Sequence, residues 1–229
     1  MTTRITGISS MATRQFLAEA AAAWQQRGGA EVAIESVGGV DAAKRVQAGE
    51  PFDVVVLAAD AIAKLAAAGH VVADSVVDLV RSGVAIAVPR GAPKPDISSE
   101  AALRAAVLSA RTLGYSTGPS GVALQQLFAR WGIADEIGAR LVQAPPGVPV
   151  GSLVARGEVA LGFQQLSELM HLDGIEVVGP MPEALQIVTT FSGAVGAASA
   201  QPSVARELLE YIRSPAVDAT RRRHGMQAA

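Results

Sequence analysis

Residues 36–60 read SVGGVDAAKRVQAGEPFDVVVLAAD. The stretch opens on Ser36-Val37-Gly38-Gly39-Val40-Asp41, small and hydroxyl-bearing, with glycines that let backbone come close to a neighbour. Asp41–Ala48 then shows helical spacing, and Val54–Leu57 is an unbroken apolar run rich in β-branched residues. A strand that is apolar at every position is buried on both faces, as in a parallel sheet covered by helices. This segment predicts α/β architecture.

The same alternation extends in both directions. Strands are predicted at Arg4–Ile8, Glu31–Ser36, Ser82–Val88, Thr112–Ser116, Arg140–Gln143, Ala160–Phe163, Ile175–Val178 and Ile187–Val195. Helices are predicted at Met11–Gln26, Ala59–Ala68, Ser99–Ser109, Gly121–Trp131, Pro149–Arg156, Gln165–Met170 and Ser203–Arg213. In the first of these, Phe16, Ala20, Ala23 and Trp24 share one face. The proline-rich Ala85–Pro95 and the stretch Met181–Phe191 read as crossovers between two lobes. The expected division is 1–83 plus 189–229 as a discontinuous first lobe and 84–188 as an inserted second. Such a protein is expected to hold its ligand where strand ends and helix N-termini converge between the lobes.

Composition narrows the classes. The 229 residues are 50% apolar and 17% charged, outside the regime of disorder. Mean hydropathy is positive, +0.32, yet no run approaches the ~18 apolar residues of a spanning helix, so no membrane insertion is expected. A formal net charge of −2 leaves no electrostatic footprint for nucleic acid. The basic run Arg221-Arg222-Arg223 reads as a solvated helix C-terminus, its cations favourably placed against the dipole. With no cysteine, disulfides and thiolate sites are excluded. His70, His171 and His224 lack metal-ligand spacing, so neither a metal nor a cofactor is expected. The opening MTTRITGISSMATRQF shows no secretory pattern. The expected location is cytoplasmic for the chain as written, and periplasmic if a leader was removed.

Four loops share one character, small or hydroxyl residues just ahead of a helix. They are Gly7–Met11, Ser36–Asp41, Tyr115–Gly121 and Pro145–Pro149. A helix N-terminus offers unpaired N–H groups and partial positive charge, and so favours an anion without Lys or Arg. Singly, Ser10, Asp41 and Ser120 read as N-caps. Arg14, one turn past Ser10, reads either as a carboxylate clamp or as an exposed helix arginine. Tyr115 reads either as a ligand contact or as core. Thr190 is a candidate cleft residue on a hinge strand, and alternation turns one of Gln164 and Gln165 inward.

Segment 36–60 resembles the signature of bacterial molybdate-binding proteins, substrate-binding components of ABC transporters. The loop ISSM at 8–11, STGPSG at 116–121, LVARGEVALGFQQLSE at 153–168 and RRRHGM at 221–226 follow in the same order, so the likeness spans almost the whole chain. The resemblance implies a type II periplasmic-binding-protein fold, with two α/β lobes joined by a two-strand hinge and closing over a small anion. It also implies an ABC permease as partner, and the expected state is a monomer. It places ligand contacts near Ser9, Ser10, Gly38, Gly39, Ser120, Gly147 and Gln165.

Three positions depart from a molybdate site. Gly39 offers only backbone where the family has a serine hydroxyl, and Gln165 offers an amide where it has a tyrosine hydroxyl. Pro145, Pro146 and Pro149 remove N–H donors from the fourth loop. A tetrahedral oxyanion wants donors only, whereas Gln165 brings a donor and an acceptor. These departures point to a small organic carboxylate. The alternative is an enzyme on the same fold, since the wider family includes aconitate isomerase. Asp41, Glu35, Tyr115 and Glu168 are its candidate bases. A third reading is a ligand-sensing domain acting with a partner protein.

Overall fold

Val54–Ala58 is buried at every residue, and its side chains alternate between two apolar layers. Val54 and Val56 pack with Phe16, Leu208 and Leu209, while Val55 and Leu57 pack with Ala42, Val46, Ile62 and Leu65. Burying one such side chain contributes about 1.5–3 kcal/mol, so helices on both faces are what the strand demands. The computed structural model describes residues 4–229. It divides into two units, one comprising the described residues up to Ser82 with Thr189–Ala229, the other Gly83–Val188.

In the first unit the chain runs β1 (Arg4–Ser10), α1 (Arg14–Gln26), β2 (Glu31–Val37), α2 (Gly39–Gln47), β3 (Val54–Ala58) and α3 (Ala59–Ala67). It then enters the long β4 (Val77–Pro89), which crosses into the second unit after Ser82. There follow α4 (Glu100–Ser109), β5 (Leu113–Tyr115), α5 (Pro119–Arg130), α6 (Ala134–Ile137), β6 (Leu141–Gln143), α7 (Val150–Ala155), β7 (Leu161–Gln165), α8 (Leu166–Leu169) and β8 (Ile175–Pro180). The chain returns along β9 (Val188–Val195) and ends with α9 (Pro202–Arg213), α10 (Asp218–Arg223) and β10 (Met226–Ala228).

The first unit's strands lie in the order β2-β1-β3-β9-β4, with β10 on β4. β1 is parallel to β2 and β3, whereas β9 runs antiparallel to β3 and β10 antiparallel to β4. In the second unit the order is β4-β7-β5-β6, with β8 also on β4. There β5 is parallel to both β6 and β7. Its sheet too is covered twice, by Leu103, Val107, Leu124 and Phe128 on one face and by Val150, Leu153 and Val154 on the other. Among the described residues no helix is long and apolar enough to cross a membrane.

The basic run departs from expectation. Arg222 and Arg223 are exposed, but Arg221 is 2% exposed and donates to the Ser214 and Ile212 carbonyls and to Asp218. These carbonyls lie in the last turn of α9 and at its C-cap, where backbone acceptors lack intrahelical partners. The sequence reading also omitted α6 and β10.

Asp53 ties the start of β3 to both ends of its unit. Its carboxylate accepts from the Thr6 N–H at 2.9 Å, the Thr6 hydroxyl at 3.0 Å and the Ser199 hydroxyl at 2.7 Å. Burial opposes its ionisation, but these bonds and the Gln201 N–H outweigh that and hold its pKa below the usual value. A depressed acid contributes stability above its unfolded pKa of about 3.9 and loses it as pH falls through the folded value. Asp53→Asn is expected to cost about 1–3 kcal/mol at pH 7 in urea unfolding, and to flatten the loss of stability below about pH 4. An unchanged acid limb would show that these bonds do not set it.

Candidate functional sites at the strand ends

Parallel strands bring their carboxyl ends to one edge, and the helices that follow begin there. In the first unit this edge carries Ser10, Val37 and Ala58, the last residues of β1, β2 and β3. Ser9 faces Ser36 in register, and their hydroxyl oxygens lie 2.8 Å apart. Ser9 is fully buried, so its hydroxyl is already occupied inside the sheet. Ser10 is half-buried, caps no helix with its side chain, and accepts at its carbonyl from the Thr13 hydroxyl at 3.0 Å. A Cβ added at Gly39 would stand 3.7 Å from the Ser10 hydroxyl, so the first two loops come together.

The N-cap of α2 is Gly38, not Asp41, which lies in the helix's first turn. No side chain caps this end, leaving the first-turn N–H groups beside Ser10. Arg14 is exposed at the first residue of α1. A surface recess lined by Trp24, Arg27 and Tyr211 and another by Phe52 and His70 exclude all of these loop residues.

In the second unit the edge carries Tyr115, Gln143 and Gln165 at the ends of β5, β6 and β7. Tyr115 is half-buried against the core that includes Phe128, and its carbonyl accepts from the Ala144 N–H at 2.9 Å. The N-cap of α5 is Gly118, whose carbonyl accepts from Gly121 and Val122, while Ser120 lies inside the first turn. The Ser116 and Ser120 hydroxyls are 3.3 Å apart. Gly147, with φ of 74°, forms the exposed tip of the turn that Val148 N–H closes onto the Pro145 carbonyl. Positive φ is why glycine stands there.

Gln165 is the N-cap of α8 and is 4% exposed. Gln164 is 3% exposed, so both glutamines are buried where alternation predicted one, because helices cover both faces of β7. The Gln164 side chain accepts from the Gly151 N–H at 2.9 Å and donates to Glu168 at 2.8 Å. Burial pushes the Glu168 carboxyl up to about 7, against the opposing hydrogen bond from Gln164. Sequence reasoning missed the roles of Ser36, Ser116 and Gln164. The first two lay within the quoted loops, and strand register was the signal that would have paired Ser36 with Ser9. Among the described residues there is no group of three or more His, Asp or Glu side chains that could hold a metal ion.

The edge of each unit carries hydroxyls or amides and helix starts without side-chain caps. The chain belongs to the bacterial extracellular solute-binding protein family, whose model matches residues 5–227. It is 41% identical over 218 residues to an aconitate isomerase from a Pseudomonas species, covering 93% of this chain and 83% of that protein. Its fold is that of type II periplasmic binding proteins, as segment 36–60 led one to expect. The periplasmic molybdate-binding protein of Azotobacter vinelandii superposes with a TM-score of 0.83 at 18% identity, covering 98% of this chain and 99% of that one. The sulfate-binding protein SubI of Mycobacterium tuberculosis gives 0.77 at 17% identity, covering 99% and 87%.

Proposed function

We propose that this protein is a solute-binding protein for a small organic carboxylate, and that it works with an ABC permease. The carrying observation is the Gln164–Glu168 pair beside Gln165. A site for a fully ionised oxyanion calls for converging donors alone, whereas this edge carries amide and carboxyl groups that also accept. An organic acid, with carboxylate, carboxyl and hydroxyl groups, can use donors and acceptors together. Ser10, the α2 start at Gly39, Ser120 and Gln165 are read as its contacts.

A thermal-shift screen tests this with molybdate, tungstate and sulfate against di- and tricarboxylates. A ligand at a hundredfold excess over Kd stabilises the native state by about 2.7 kcal/mol. Carboxylates are expected to stabilise; a response confined to the inorganic oxyanions would overturn the reading. Ser10→Ala and Gln165→Ala are each expected to weaken the best carboxylate about ten- to hundredfold without unfolding the protein, as the loss of a hydrogen bond to a charged group would. Unchanged calorimetric affinity in both would remove them from the site.

A second reading is favoured by the 41% identity to an aconitate isomerase together with the perturbed Glu168 carboxyl. On it, the same carboxylate is isomerised rather than only held, with Glu168 as the base poised near neutral pH. Proton NMR of cis- and trans-aconitate incubated with the protein separates the two. Interconversion means enzyme, and binding without it means carrier.

A further inference from the structure

Gln164 sits in a relay whose polarity is fixed at one end. A backbone N–H can only donate, so Gly151 N–H obliges the Gln164 amide to present its Oε1. Nε2 is thereby turned to Glu168 Oε1, 2.8 Å away. The relay joins the first turn of α7, the end of β7 and α8, all at the edge where the parallel strands of the second unit terminate. An amide N–H can donate to a carboxylate and, less strongly, to the carbonyl oxygen of a carboxyl, so Gln164 holds Glu168 in place in either protonation state while favouring the ionised one.

Resting on the carboxylate reading above, we propose that Glu168 is the proton-exchanging group of the ligand site and Gln164 its positioning residue, so that capture of a carboxylate takes up one proton from solvent onto Glu168. A second negative charge brought beside a half-buried carboxylate is unfavourable, and protonation removes the conflict. The neutral carboxyl can then donate its O–H to the incoming anion.

Charged and titratable groups on the surrounding elements do not replace Glu168 in this role. Arg156, at the end of α7, pairs with Glu158; Asp173 pairs with Arg90, and Glu176 on β8 pairs with Lys94. His171 follows α8 two residues beyond Leu169. Only burial and Gln164 shift Glu168, and they leave it near the midpoint of titration at neutral pH.

The test uses the whole protein and tricarballylate, a tricarboxylate with no double bond to move. Calorimetry at pH 8 in buffers of different ionisation heat counts protons directly. About one proton taken up is expected, with Kd rising up to tenfold per pH unit above about 7. Glu168→Gln is expected to bind with no uptake and a flat pH profile. Gln164→Leu is expected to move the break to higher pH, and so to take up less than one proton at pH 8, because the bond that favours ionisation is gone. A merely structural Gln164 would leave that break in place. Binding by the wild type without proton uptake, or uptake retained in Glu168→Gln, overturns the inference and leaves the carboxylate reading standing. No binding of any di- or tricarboxylate at any pH overturns both. Side-chain carboxyl NMR of the free wild type needs no variant: a Glu168 midpoint near 7 is expected, and one at the ordinary glutamate value overturns the inference.

Discussion

Gly121→Ala is expected to weaken carboxylate binding more than tenfold and to lower stability by about 1–3 kcal/mol, whereas Gly118→Ala changes little. A Cβ at Gly121 would stand 1.9 Å from the Ser116 carbonyl oxygen and 3.2 Å from the Tyr115 ring. The first is a backbone atom, with no rotamer to move aside. The loop from Tyr115 to Ser120 must therefore shift, taking with it the Ser116–Ser120 hydroxyl pair and the start of α5. Gly118 has an ordinary φ of −80°, and a Cβ there meets only the Ser116 hydroxyl at 3.8 Å. Binding by calorimetry and unfolding in urea should split the two variants. Equal behaviour would mean that this loop has slack that its packing does not show.

Arg221→Met is expected to cost about 3–5 kcal/mol, a drop of roughly 10 °C in Tm for a chain of this size. The substitution keeps an apolar stem of similar length. It removes the donors from the Ile212 carbonyl at 2.6 Å and the Ser214 carbonyl at 3.1 Å, and it leaves Asp218 without its cation. Arg221→Lys is expected to recover only part of the loss, because one ammonium cannot reproduce the guanidinium fork across two carbonyls and a carboxylate. Scanning calorimetry decides the matter. A variant within about 0.5 kcal/mol of wild type would show that the buried guanidinium is structurally neutral.

The strands from β1 to β9 were legible as apolar or β-branched runs, except that β4 begins at Val77 and was read only from Ser82, its first residues alternating with Asp78 and Arg81. β10 was not, since Met226–Ala228 carries no pattern and is a strand only through its register with Val80–Ser82. α6 is a single turn of four residues that follows closely on the end of α5, and the sequence reading ended its helix at Trp131. The burial of Arg221 was illegible for a different reason. Three adjacent arginines look solvated until α9 ends with open carbonyls beside one of them.

The loops were visible as loops, but the assignment of their hydroxyls was not. Ser9 and Ser10 look equivalent in sequence, yet register gives Ser9 to Ser36 and leaves Ser10 half-exposed. Likewise the helix starts that looked capped by Asp41 and Ser120 are capped by Gly38 and Gly118, leaving more open backbone than the sequence suggested. The Gln164–Gly151 bond spans two separate elements, and local pattern carries no trace of it.

The route of the chain has a consequence for the order of assembly. β3 finds its antiparallel neighbour only in β9, where Val54 pairs with Val195, and β4 finds β10 only at Met226. The second unit, by contrast, is one continuous stretch, Gly83–Val188. During synthesis its sheet can close as soon as that stretch has emerged. The first unit, although it begins at the amino end, must wait for the last residues of the chain, because loop closure over so long a span precedes any reward from the contacts it makes. A released chain ending shortly after Val188 would thus carry a finished second unit and a half-built first one, and a truncation at the carboxyl end would injure the part of the protein made earliest.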